Sequence, residues 1–286
     1  MKTTCLILLL VLSYSGLSQI SLVDDLRRTV VLSSPAKRIV SLAPSITETL
    51  FAIGAGNTVV GVTDYCNYPA EAKQKQRVGG VVNPSIETIV SLKPDLIVLS
   101  MEGNVREDFK KLTSFGIPVF VTNPRNLLGI YTSIVQLGAL TGRKENAERL
   151  VMSLRSRADS IHAIVAREKK QTVMVFVSLQ PIIVVGQNTF FAELIEFAGG
   201  TNAAKKGTST YPMYGREAVL KSNPDVLIFM SDVLASPADL VTLFPEWTNL
   251  KAYRQKKIFR IDADIVSRPG PRAVAGLEAL HNLINH

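Results

Sequence analysis

The chain is poor in the residues on which metal and covalent chemistry depend. Its 286 residues include three histidines (His162, His281 and His286), two cysteines and one tryptophan. A zinc or manganese capture site draws several imidazoles or thiolates together with carboxylates. The first 142 residues contain no histidine, which argues against such a site between two halves of the chain. H-E-x-x-H, C-x-x-C, phosphate-loop and G-x-S-x-G patterns are absent, and Gly54-Ala55-Gly56 lacks the third glycine of a dinucleotide fingerprint. No catalytic constellation remains, so the expectation is a protein that is not an enzyme, with no cofactor and no bound metal. Cys5 has no small-residue lipobox before it. Cys66 then stands alone, which excludes an internal disulfide and suits a small packed residue.

Long apolar runs are also missing. Beyond residue 18 no stretch of 18 uninterrupted apolar residues occurs, so a membrane-spanning helix is not expected. The start has the layout of a cleaved secretory signal. A positive Met1-Lys2 precedes the short apolar run CLILLLVL, and Gly16 and Ser18 suit a cleavage site. Residues 1–18 are therefore read as a signal peptide and the mature protein as secreted; a buried N-terminal strand or helix is the alternative. The net charge of +8 is scattered, and its densest run, residues 167–170, contains Glu168. That pattern fits a solvated helix end better than a nucleic-acid surface.

What the chain does have is alternation. Hydrophobic residues make up 47%, enough for substantial cores. Short β-rich runs (residues 38–42, 58–62, 95–100 and 118–122) alternate with helical patterns (residues 104–114 and 127–140), which points to an α/β lobe with mainly parallel strands. Ser45-Ile46-Thr47-Glu48 has the S-x-x-E form of a capping box opening a helix. From Lys144 to Glu168 there is neither Gly nor Pro. Ala147, Val151, Leu154, Ala158, Ile161 and Val165 step by four and three, an amphipathic stripe over one helix of about 25 residues and 37 Å. The strand–helix pattern then restarts, with strands expected at 172–178, 182–185, 225–230 and 257–261 and helices at 190–198, 238–244 and 273–284. Residues 87–98 (ETIVSLKPDLIV) also echo residues 217–228 (EAVLKSNPDVLI) at a constant offset of 130. The reading is a first lobe over 19–142, a rigid spine helix over 143–170 and a similar second lobe over 171–286. Ligand sites favour the cleft between such lobes.

Several segments, RIVSLAPSITE (38–48), GVTDYCNYPAE (61–71), Val78-Gly79-Gly80, SIETIVSLKPDLIVL (85–99) and SRPGPRAVAGLEAL (267–280), resemble the periplasmic binding proteins of ABC importers that carry cobalamin, ferric siderophores or haem. The likeness runs from about residue 27 to 286 and is greatest to the cobalamin-binding members, chiefly through residues 64–69 and the segment around Glu87. It implies two α/β lobes joined by one long helix, modest closure, and a small-molecule ligand held between the lobes. It also implies delivery to an inner-membrane permease by a monomer that binds no nucleic acid. In the cobalamin relatives one surface glutamate per lobe meets permease arginines, and the matching positions are Glu87 and Glu217. Each alone also reads as an ordinary helix-start glutamate.

For the ligand, the resemblance points to aromatic faces at Tyr65 and Tyr211, with Tyr68 nearby. Plain packing is the alternative role for Tyr65 and Tyr68. The position near Ser100 and Met101 departs from the pattern in not being aromatic. Arg268, with Arg272, is placed to meet an anionic group of a ligand, and structural pairing is the alternative for Arg272. The cargo expected first is a corrinoid. Haem, through a tyrosine phenolate on ferric iron, and a ferric siderophore are the alternatives within the binding class. A cleft used as a sensor would look the same in sequence.

Overall fold

The computed structural model describes residues 19–285 except 102, 105, 205, 206, 208, 235 and 237. The expected signal peptide, residues 1–18, lies outside the described residues. The first lobe begins with an antiparallel hairpin, β1 (Ile20–Val23) and β2 (Thr29–Leu32). It continues through β3 (Ile39–Ser41), α1 (Pro44–Ala52), β4 (Val59–Val62), β5 (Gln76–Arg77), α2 (Ile86–Ser91), β6 (Leu96–Ser100), α3 (Arg106–Ser114), β7 (Val119–Thr122) and α4 (Leu127–Leu140). After the spine helix α5 (Lys144–Val165) come β8 (Gln171–Leu179), β9 (Ile182–Val184), α6 (Phe190–Phe197), β10 (Gly200–Asn202), α7 (Arg216–Ser222) and β11 (Val226–Met230). The chain closes through α8 (Asp239–Leu243), α9 (Lys251–Arg254), β12 (Ile258–Ile261), α10 (Ala263–Ser267) and α11 (Ala273–Asn285).

Each lobe is built on a parallel sheet. The first has the order β5-β4-β3-β6-β7, and the second β10-β8-β11-β12 with β9 antiparallel on β8. Strands covered on both faces read as continuous apolar runs, and alternate residues divide between two cores. Ile39, Leu96 and Val98 face one cluster while Val40, Ile97 and Leu99 face another on the far side of the first sheet. In the second sheet Val173, Val175, Val226 and Ile228 share that first cluster, and Met174, Phe176, Leu227 and Phe229 face a separate one around Trp247. The shared cluster therefore runs through both lobes. Its middle is the α5 stripe of Ala147, Val151, Leu154, Ala158, Ile161 and Val165, all buried. At 22 residues α5 is about 33 Å long, one turn shorter than the pattern suggested, because residues 166–168 leave the helix in a turn. Nor is the spine bare: α11 packs along it, and Arg157 Nε and Nη2 donate to Glu278 at 2.8 and 2.7 Å.

The echo at offset 130 has a structural counterpart. α2 and α7 both lead to a left-handed residue, Lys93 (φ 47°) and Asn223 (φ 40°), before the prolines that stop them. The next residue pins the neighbouring central strand in both lobes. The Asp95 carboxylate accepts the backbone N–H groups of Lys37 and Arg38 at 2.8 and 3.0 Å. Asp225 accepts the N–H and the hydroxyl of Thr172, each at 2.8 Å. Burial pushes the Asp225 carboxyl up, but Lys251 and the two Thr172 donors outweigh it and hold it down, to about 2.

Candidate functional site

In open parallel sheets, ligands sit outside the carboxyl ends of the strands. Both sheets of this chain aim those ends at the lobe junction. The connection from β3 supplies Ala43, the first turn of α1 supplies Pro44 and Ser45, the loop after β4 supplies Tyr65, and β6 ends in Ser100. From the second lobe, the segment after β12 supplies Asp264, Ser267, Arg268 and Pro269. Together with Val81 these residues line a cleft of about 400 Å³. A smaller hollow adjoins it through Ser267 and is lined by Arg125, Phe190, Phe191 and Tyr211 among others. A hollow of about 500 Å³ beside Phe51, Glu71 and Lys75 belongs to the first lobe alone.

Two of the three tyrosines singled out in the sequence, Tyr65 and Tyr211, line these hollows. Tyr65 is 61% exposed and Tyr211 49%, one on each side of the junction. Tyr65 is held in place from below. The next residue, Cys66, is fully buried, and its thiol meets the hydroxyls of Thr47 and Thr63 at 3.1 and 3.2 Å. The wall beside Tyr65 is set by Asn104, whose side-chain amide donates to the carbonyls of Val81 (2.7 Å) and Leu42 (3.2 Å). Tyr68 does not line the cleft; its ring packs 4.3 Å beneath the Arg272 guanidinium. Met101, near the position where the family pattern has an aromatic, is exposed.

Glu48 is the residue that sequence reasoning misread. The helix it belongs to starts at Pro44 with Ala43 as its cap, and no side chain caps it. Ser45 and Glu48 lie inside α1, and the capping box is not formed. The carboxylate instead crosses to the second lobe. Arg268 Nη1 donates to it at 2.8 Å, and Arg272 Nε and Nη2 donate at 2.9 and 2.6 Å. Its side chain is 1% exposed, and that of Arg268 12%. The hydrogen bond from Arg272 to Glu48 outweighs burial and pushes the guanidinium pKa further up. Arg268 also donates to Asn67 Oδ1 (2.7 Å) and Asp264 Oδ1 (2.5 Å), and Asn67 donates in turn to Asp264 Oδ2 (2.8 Å). Arg268 lines the cleft, and its charge, like that of Arg272, is taken up by carboxylates of the protein.

On the other side of the junction Glu193 of α6 accepts the N–H of Leu127, the first residue of α4, at 2.7 Å. A carboxylate there satisfies an orphan donor at a helix N-terminus. Burial pushes the Glu193 carboxyl up and Glu196 adds to it, against the Leu127 hydrogen bond. Sequence offered no signal for the pairing of Glu193 with Leu127, 66 residues away, or of Asn67 with Asp264, 197 residues away. Glu87 and Glu217 lie apart from the cleft, exposed in the first turns of the equivalent helices α2 and α7. Among the described residues no group of three or more His, Cys, Asp or Glu side chains is placed to hold a metal ion.

A junction of this kind, two matched sheets meeting end-on across a cleft with a stiff helix behind, is found in known proteins. The chain is 33% identical over 265 residues to an ABC transporter substrate-binding lipoprotein, YvrC of Bacillus subtilis (strain 168), covering 90% of this chain and 82% of the relative. It superposes on the periplasmic vitamin B12-binding protein BtuF of Vibrio cholerae with a TM-score of 0.78 at 28% identity, covering 87% of this chain and 97% of that one. It is equally similar to the periplasmic heme-binding protein RhuT of Roseiflexus sp. RS-1, with a TM-score of 0.80 at 28% identity over 87% and 98% of the two chains. Residues 39–265 match the family described as periplasmic binding protein. With the two-lobed fold and the inter-lobe cleft, that match establishes that the chain belongs to the periplasmic binding protein family, whose members bind solutes and do not catalyse reactions.

Proposed function

We propose that this protein is the cargo-capturing subunit of an ABC importer and that its cargo is a corrinoid. The observation that carries this reading is the pair of open aromatic faces, Tyr65 from the first lobe and Tyr211 from the second, at two hollows joined through Ser267. Aromatic rings with large exposed faces suit a flat macrocycle, whose burial removes extensive apolar area from water. The resemblance of residues 64–69 and of the Glu87 segment to cobalamin-binding members supports the same cargo, as does the likeness to the B12-binding structure. The expected boundaries, 19–142 and 171–286 with the spine between, belong to this reading, in which the lobes clasp the cargo as a monomer. Glu87 and Glu217, one per lobe, then dock on basic residues of the permease through charge-assisted contacts.

Haem is the second reading. The Tyr65 hydroxyl belongs to an exposed ring on the cleft wall, and a phenolate is a ligand for ferric haem iron. Titration of the purified protein with cyanocobalamin, cobinamide and haemin, followed by calorimetry and visible absorbance, decides between them. Saturable binding of the corrinoids alone is the expected result. Binding of haemin alone, with an absorbance change lost in Tyr65→Phe, assigns haem in place of a corrinoid.

A further inference from the structure

The cleft is unusual in the way its charges are spent. Among the described residues that line it, the charged ones are Asp264 and Arg268, and they are paired with each other. Arg268 is also bound by Glu48, which holds Arg272 as well. Two guanidiniums are therefore matched by two carboxylates. Asp262 adds a third carboxylate close enough to act on Arg272. The cluster carries no net positive charge and has no guanidinium in search of an anion. The cation among the described residues of the adjoining hollow, Arg125, is itself engaged within the chain. The remaining polar side chains among the described lining residues are the hydroxyls of Ser45, Tyr65, Ser100 and Ser267, and Ser267 already donates to the Ala263 carbonyl at 2.6 Å.

We propose that Glu48 is a specificity-determining residue which, by consuming the charge of Arg268 and Arg272 from inside the first lobe, makes the cleft select an uncharged, amide-bearing cargo over one with free carboxylates. The inference rests on the macrocycle reading above and sharpens it to the peripheral groups of the ring. A carboxylate brought to this wall must either displace Asp264 from Arg268 or stand beside Asp262 and Asp264 without a counter-ion. Juxtaposed like charges at an interface disfavour the wrong partner. A carboxamide meets neither obstacle, since it carries no charge and its N–H can donate to Asp264, whose side chain is 35% exposed. Glu48 touches no cargo in this scheme. It acts through the two arginines, and its position one turn from the cleft loop, in a helix of the opposite lobe, lets it hold them from behind.

The test compares probes that differ only in charge. Cyanocobalamin, whose corrin rim carries carboxamides, is titrated against its monocarboxylic acids, and haemin against its dimethyl ester, on the wild type, Glu48→Gln and Asp264→Asn. The wild type is expected to favour the neutral member of a pair by roughly tenfold or more. Glu48→Gln keeps the shape but leaves the arginines one counter-charge short, so the ratio should fall to within about twofold. Asp264→Asn, at the rim, should move it the same way by less and serves if Glu48→Gln does not fold. Equal affinity for acid and amide in the wild type, or a ratio unchanged in both variants, overturns the proposal while leaving the corrinoid reading intact. Binding of haemin with no corrinoid bound overturns the corrinoid reading instead; tighter binding of the ester then supports the charge selection, and tighter binding of free haemin refutes it. Failure of the folded protein to bind either macrocycle overturns both.

Discussion

Replacing Glu48 by alanine should destabilise the whole molecule, by an amount that follows from its surroundings. The carboxylate accepts three charge-assisted hydrogen bonds at 2.6–2.9 Å and is 1% exposed. Removing it strands two largely buried guanidiniums of the other lobe. Arg268 retains Asp264 and Asn67, whereas Arg272 keeps the Tyr68 ring. Breaking a buried pair from one side costs about 3–5 kcal/mol, because the surviving charge stays desolvated. For a chain of this length each kcal/mol shifts the melting temperature by about 2 °C, so a fall of about 6–10 °C is expected. The assay is urea and thermal unfolding followed by circular dichroism near pH 7. A companion set, Glu48→Leu with Arg272→Met, tests the cause. If the stranded charge is responsible, the double variant should recover much of what Glu48→Leu alone loses. The loss should also vary little between 0.1 and 1 M salt, unlike that of an exposed pair. A Glu48→Ala variant within about 1 kcal/mol of wild type would refute the reasoning, since that is the worth of a surface ion pair.

Three further outcomes are expected. Tyr65→Ala and Tyr211→Ala should each weaken cargo binding by about 10- to 100-fold in calorimetry, the worth of one aromatic face against a macrocycle, while leaving the melting temperature nearly unchanged. Reversing both Glu87 and Glu217 to lysine should abolish uptake in cells and leave the affinity of the purified protein as it was; uptake at the wild-type rate would remove the docking role. Asp225 titrates lower in the folded protein than when unfolded, so its stabilising contribution is present above about pH 4 and drains away as the pH falls to about 2. Asp225→Asn should flatten the acid limb of the stability–pH curve over that window.

The parts of the fold legible in the sequence are those governed by local pattern. The α5 stripe repeats every three to four residues because one face of a helix must be buried, and the six residues it marks are buried. The Pro-Asp echo was legible because a proline, a left-handed turn and a strand-pinning carboxylate are all set within a few residues. The β-rich runs correspond to strands covered on both faces. What was not legible was set by distance along the chain. Glu48 carries a local signature for capping and a distant one for pairing, and only the first is visible in a window of four residues. Its partners lie 220 and 224 positions away. The packing of α11 along the spine escaped for the same reason. Tyr65 and Tyr211 were reached through family likeness, since nothing in their own neighbourhoods separates an exposed tyrosine from a packed one.

The apolar cluster that runs through both lobes has a calorimetric consequence. Val30 in the first hairpin, Leu154 in the spine and Leu280 in the last helix belong to one buried body before any cargo arrives. Little new protein–protein apolar surface is left to be dehydrated when the cleft fills. The heat-capacity change of binding should therefore scale with the area of the cargo and its immediate wall, and not with a docking of lobe on lobe. Cargoes of different width would then be told apart by how well they fill a gap of set span, with the molecule acting less as a jaw than as a gauge.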